Sequence, residues 1–268
     1  MNISLSYVAF GLSLLCYLAA GVLYVQQFFK HTSPLIKYAQ PLLMLALICH
    51  LGILVINTNY HASEQLSLAY VATLLAWLVT LTMLIANKFI KNLLFLPLVC
   101  FVSAFIISID MFFPTTTGIT VNMSVGVIIH ILLSLVAFGL LSISMLYAFQ
   151  LAYIKYQLKQ KSRIMISGHL PPLLSVEKIL MQIMIMGSVL LFAALISGFV
   201  FVPNMFADGY AHKTLLSSIA LCCYLACILL HHFIGLQARM TIIFNCLGLF
   251  LLTLGYFGSR LVKEFLLN

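Results

Sequence analysis

The 268-residue chain is 64% hydrophobic and only 7% charged, where soluble domains carry roughly 25% charged residues. No single soluble core hides that much apolar side chain, so a bilayer must solvate it. The net charge of +8 resides in Lys and Arg set between apolar runs, a membrane-loop pattern that sets nucleic-acid binding aside.

Polar or Pro-containing connections divide the chain into eight apolar lengths near the roughly 20 residues a spanning helix needs: 5–29, 35–56, 66–86, 92–112, 122–154, 174–202, 212–234 and 240–262. The first run has no basic residue ahead of it and Lys30 behind it, which reads as a retained helix rather than a cleaved signal peptide. Pro34, Pro97, Pro114, Pro171, Pro172 and Pro203 fall at or near span ends, whereas Pro41 lies within the first turns of span two. Span three, with Trp77 and several threonines, is the weakest of the set. Span five is longer than a bilayer requires, at about 50 Å against a hydrocarbon core of about 30 Å. Its end is expected to project into the cytoplasm and to run into the basic segment 155–163, KYQLKQKSR, which suits anionic lipid headgroups. The expected fold is an all-α polytopic transmembrane helix bundle of about eight spans, one transmembrane domain over 1–268.

Charge sets the orientation. With the amino terminus outside, the cytoplasmic side receives Lys30, Lys37, Lys88, Lys91, Lys155, Lys159, Lys161, Arg163, Lys178 and Arg239, ten of the thirteen Lys and Arg. Lys213, Arg260 and Lys263 face out, with Glu64, Asp110, Asp208 and Glu264. Basic residues in short loops decide topology, and an even number of spans then leaves both termini outside.

The seven cysteines all lie in apolar runs and form no CxxC or CxxCH pair, so disulfide, zinc and covalent-haem readings gain no support. Enzyme signatures such as GxSxG, HExxH and the P-loop are absent from the sequence. Ionisable residues inside a membrane are costly and point to function, which singles out His50 in span two and His130 in span five, both about 9–12 Å below the outer surface by residue count. His212 opens span seven at the same face, and His61 lies in the outer loop after span two. Neutral imidazole is a good axial ligand for haem iron, and helix-borne histidines can hold a porphyrin inside a bundle. The plain alternative for each is a hydrogen bond between helices. On the cytoplasmic side stand His31, His169 and the adjacent His231 and His232; neighbouring helix positions point about 100° apart, so at most one of that pair is a ligand.

The stretch LPPLLSVEKILMQIMIMGSVLLFAALISGF at 170–199 resembles the segment of the cytochrome c assembly (CcsA/CcmC/CcmF) membrane proteins that reads Leu-Pro-x-Leu, Glu-Lys, then an apolar helix closing on Ser/Thr-Gly. Spans seven and eight resemble that family's carboxyl-terminal pair in order and spacing, and the chain looks closest to the shorter YpjD-like and HemX-like branch. The resemblance implies a multi-pass protein of the bacterial inner membrane that handles haem, bound non-covalently, alongside other cytochrome c maturation proteins. His130 matches the family's ligand position at the outer end of the helix before the basic loop, His50 its early intramembrane histidine, and His231 or His232 falls near its later one. Two features depart from the pattern. The Trp-rich, Asp-terminated signature before span seven is replaced by ADGYAHKT, and no histidine follows span eight. They weigh against full haem export. His212, beside Lys213 whose ammonium can pair with a haem propionate, is the candidate for the missing outer ligand.

The expected function is therefore a haem-binding accessory or haem chaperone in cytochrome c assembly, not itself an enzyme, with iron ligands His130 and His212, His50 in reserve, and Lys213 on a propionate. The alternatives are a membrane anchor that holds a soluble haem-synthesis enzyme through the 155–172 loop, or a transporter of a small solute. The charge asymmetry makes a direct topological prediction: reporter fusions after residues 60, 118 and 208 read outside, and fusions at 33, 90, 162 and 236 read inside. An external signal at 162 reverses the orientation.

Overall fold

The computed structural model describes residues 2–29, 34–60, 65–66, 68–89, 95–112, 119–120, 124–160, 172–202 and 211–258. His31, His61, His169, the basic positions 161–163, the remainder of the 155–172 loop as far as residue 171, and Arg260, Lys263 and Glu264 lie outside the described residues.

Eight α-helices account for nearly all of the described chain: α1 (Asn2–Phe29), α2 (Ala39–Tyr60), α3 (Leu68–Phe89), α4 (Leu96–Phe112), α5 (Val125–Lys159), α6 (Leu173–Phe201), α7 (Ala211–Ile234) and α8 (Ala238–Thr253). A 3₁₀ turn, Pro34–Tyr38, leads into α2, and a π turn, Leu254–Gly258, prolongs α8. Pro41 sits in the first turn of α2, where a missing N–H leaves no intrahelical bond unmade. The fold is thus all-α and polytopic, as composition requires, since only structures that bond their own backbone groups survive in hydrocarbon.

Among the described residues seven helices are long and apolar enough to cross a membrane, and the short one is α4 with 17 residues. The sequence had pointed to span three as the weak one, yet α3 is a full 22-residue helix. A two-residue antiparallel ladder bears on the count: β1 (Gln65–Leu66) pairs with β2 (Ile119–Thr120), Gln65 opposite Thr120. The ladder holds the connection before α3 and the connection after α4 on one side of the membrane. If α3 crosses, α4 must cross back, and at about 26 Å it has the length to do so.

Helix α5 is unbroken for 35 residues, about 52 Å, so it extends well beyond one face of the bilayer, as its sequence demanded. Ser124 caps it, its Oγ accepting from Val127 N at 3.4 Å, and Lys155, Tyr156 and Lys159 occupy its far end, where Tyr156 is 60% exposed.

The chain divides into two compact units, Met1–Val121 and Asn122–Asn268. In the first, α1 packs on α2 and α4, and α3 packs on α4 and α2. Tyr17, Ala20, Leu43, Ala46, Met83 and Cys100 are wholly enclosed there. In the second, α5 runs along α6, α7 along α8, and α8 returns to α5, around Ala137, Leu141, Met184, Ala220 and Tyr224. The α7–α8 connection is only three residues, opened by Gly235 at φ 70° with its N–H on His231 O at 3.2 Å, the left-handed stop that glycine adopts without strain.

Intimate α5–α6 packing requires Gly187. A Cβ there would stand 2.8 Å from the enclosed side chain of Leu141, so only a bare Cα lets the two helices approach. Gly187→Leu is expected to destabilise the protein by about 1–3 kcal/mol through overpacking, read as a lower thermal midpoint in detergent; an unchanged midpoint contradicts the close approach.

Candidate functional site

His130 lies on the second turn of α5, five residues from its start at Val125. It faces α6. The Phe201 ring, at the end of α6, rests on the Gly126 backbone, which brings the start of one helix beside the end of the other. Within this contact His130 Nδ1 lies 2.8 Å from the carbonyl oxygen of Ala194 and 3.2 Å from Ser197 Oγ. A carbonyl can only accept, so Nδ1 carries the proton and donates it. Ser197 Oγ in turn donates to the same Ala194 carbonyl at 2.8 Å, which turns a hydroxyl lone pair toward the imidazole. The tautomer is set by these partners, and Nε2 is left holding the ring's lone pair. The ring is half-buried.

His212, the second residue of α7, is exposed, and Lys213 beside it is half-buried. The Lys213 carbonyl lies 3.6 Å from where a Cβ on Gly255 would stand, so the start of α7 meets the π turn that ends α8. Chain order places the start of α5, the end of α6, the start of α7 and the end of α8 at one end of the second unit. His130, His212 and Lys213 belong to that end. The contacts of His130 nonetheless run to α6, through Ala194 and Ser197, neither of which the sequence linked to a histidine.

His50 differs in kind. It belongs to the first unit, is 0% exposed, and has Tyr17 OH 3.0 Å from its Nδ1, the two rings edge-on at 5.7 Å. Its Nε2 is buried with no hydrogen-bond partner. Because α2 continues to Tyr60, His50 lies ten residues from that helix end, about 15 Å, against about 8 Å for His130 from the start of α5. Counted from the ends of the apolar spans, Leu35–Ile56 and the span that opens at Val125, the two histidines lie about 9 Å and about 8 Å in, the similar depth expected from sequence. The further turn of α2 to Tyr60 runs on beyond that span. His231 and His232 stand in the last turn of α7, nineteen residues from His212, about 28 Å away along the helix and so near the opposite face. His231 is half-buried with Nδ1 enclosed and unpartnered, and His232 is exposed, its ring against Phe233.

Among the described residues no group of three or more His, Cys, Asp or Glu could hold a metal ion by itself. Haem makes a lighter demand, because the porphyrin supplies four nitrogens and the protein only axial ligands. A half-buried imidazole with a fixed Nε2 lone pair fits that demand. A wholly enclosed one does not unless its unit repacks around a porphyrin.

Comparison with known proteins adds three findings. A family model described as "Cytochrome C assembly protein" matches residues 35–267, reaching further into the amino-terminal half than the motifs of 170–199 alone. The inner membrane protein YpjD of Escherichia coli K12 is 33% identical over 223 residues, 82% of this chain and 84% of the relative, and YpjD of Escherichia coli O157:H7 matches to the same extent. No solved structure matches.

The Tyr17–His50 contact generates its own prediction. Tyr17→Phe removes the hydroxyl that partners a buried imidazole and is expected to cost about 1–3 kcal/mol, with part of the loss recovered in the double variant Tyr17→Phe/His50→Leu. Thermal unfolding of the three proteins measures it, and a neutral Tyr17→Phe contradicts the pairing.

Proposed function

We propose that this chain, which belongs to the cytochrome C assembly protein family, binds haem non-covalently through His130 and acts as an accessory or haem chaperone, without catalysis of its own. Family membership supports a role in cytochrome c biogenesis. The protein is a multi-pass protein of the inner membrane, as its relative YpjD is by name and as its apolar helices require. The orientation adopted has both termini outside, on the charge distribution given above.

The observation that carries the haem reading is the hydrogen bond from His130 Nδ1 to the Ala194 carbonyl. Metal-ligating histidines usually donate their second ring nitrogen to a carbonyl or carboxylate, which orients the ring and raises its basicity. His130 has this arrangement inside a membrane helix, with Ser197 as a second acceptor. Haem bound there supplies the iron and the porphyrin ring; the protein supplies an oriented imidazole, an apolar surround and an exposed rim. His212 is the candidate second ligand, and Lys213 the candidate for a propionate, because both stand at the same end of the second unit. His50 becomes a structural residue on this reading, since it is enclosed and hydrogen-bonded to Tyr17. Other cytochrome c maturation proteins are the partners that a haem chaperone serves.

Titration of the purified protein with haemin in mild detergent tests the reading through the Soret band. His130→Ala is expected to abolish the saturable shift. Ser197→Ala is expected to weaken haem affinity by no more than the about 10–100-fold typical when a partner of a ligating histidine is lost, because the Ala194 carbonyl remains. An unchanged Soret titration in His130→Ala removes the assignment while leaving the helical fold untouched.

A further inference from the structure

The first unit carries a long apolar groove between α1 and α2 that the haem reading does not use. It has a volume of about 820 Å³ and is floored on α1 by a stripe that includes Leu15, Ala19, Val22 and Gln26, and closed on the other side by Tyr38 and Leu45. The α1 positions recur every three or four residues, one face of a helix. From Leu15 to Gln26 the stripe measures about 16 Å, close to the about 15 Å depth of one leaflet, half of a hydrocarbon core about 30 Å thick. Its polarity is graded. The polar lining residues Gln26 and Tyr38 both sit where the end of α1 meets the 3₁₀ turn before α2, and Leu15 and Leu45 lie away from it.

At the polar end stands a cation. Lys37 is exposed, with its Nζ 5.0 Å from the Tyr38 ring centroid. The sequence supplies nothing to neutralise it locally: residues 1–63 contain Lys30 and Lys37 and no Asp or Glu. The groove therefore has an apolar trough one leaflet long, an amphipathic aromatic at the interface and an excess of positive charge at the headgroup level.

We infer that this groove is a binding site for an anionic glycerophospholipid, with an acyl chain lying along α1 from Gln26 toward Leu15 and the phosphate at Lys37. The inference does not rest on haem binding. A zwitterionic lipid fills the trough equally well but brings no net charge to the lysine. A packed partner helix would bury the trough yet leave Lys37 without its anion.

The test is native mass spectrometry of delipidated full-length protein in mild detergent, offered phosphatidylglycerol or phosphatidylcholine with identical acyl chains. Wild type is expected to retain phosphatidylglycerol with about a fivefold preference, the contribution of one lysine near an anionic surface. Lys37→Gln is expected to retain both lipids equally. Ala19→Trp, which fills the trough from the α1 side, is expected to lose the tightly held lipid altogether. Circular dichroism and thermal unfolding check that both variants remain folded, and Lys37→Gln, at an exposed position, serves as the informative variant if Ala19→Trp does not. Equal retention of the two lipids by wild type overturns the inference. So does an undiminished preference in Lys37→Gln, or a dimer mass that carries no lipid.

Discussion

Hydrocarbon offers no hydrogen-bond partner, and this constraint governs where every polar side chain of the protein goes. Many Ser and Thr hydroxyls satisfy it locally by donating to a carbonyl one turn back: Thr73 to Ala69, Thr80 to Ala76, Ser108 to Ala104, Ser134 to His130 and Ser188 to Met184, all at 2.7–2.8 Å. These bonds cost nothing in tertiary organisation and say little about it. Other polar groups, several hydroxyls among them, reach across to other helices, and these bonds define how each unit is assembled.

In the first unit these crossings include Ser13 to the Ala46 carbonyl, Tyr17 with His50, Trp77 to the Leu47 carbonyl and Thr80 with Ser103. In the second they include His130 on Ala194 and Ser197, Ser144 donating to Asn245 Oδ1 at 2.9 Å, whose amide in turn faces Met184 Sδ, and Cys246 Sγ with Met145 Sδ. Bonds of this kind contribute about 0.6 kcal/mol on average in a membrane interior, so their importance lies in register rather than in total stability. Each selects one rotation of a helix about its axis, where a purely apolar surface would tolerate several.

The two intramembrane histidines show how the same residue type acquires different chemistry from this constraint. His50 meets a phenol and is sealed in, its second nitrogen unpartnered. His130 meets a carbonyl, which can only accept, and so its proton is placed on Nδ1 while the ring stays half-buried. A buried lone histidine is a packing element with an unmet bond; an oriented imidazole with a defined lone pair is a ligand in waiting. The close contact of Gly126 with Phe201 and of Gly187 with Leu141 keeps α5 near enough to α6 for that carbonyl to be reached.

Much of this protein was legible in its sequence because the bilayer simplifies the problem. Span length, the overlong fifth helix and the polar breaks follow from hydrophobicity and a rise of about 1.5 Å per residue, and the Ser197–Gly198 close of α6 was visible as part of the motif at 170–199. What the linear chain did not contain was adjacency. Ala194 and Ser197 lie 64 and 67 residues from His130, and Tyr17 lies 33 from His50, and no periodicity relates such positions. Span two, expected at 35–56, matches the apolar span Leu35–Ile56, but α2 itself continues to Tyr60 and α4 starts only at Leu96 rather than at 92, because polar residues at an interface can extend a helix or stop it with equal ease. Residue chemistry determined by itself that the chain enters a membrane and where its costly groups lie; only tertiary packing decided which of those groups is enclosed and which keeps a lone pair to offer, because that depends on the atom each one meets on a neighbouring helix.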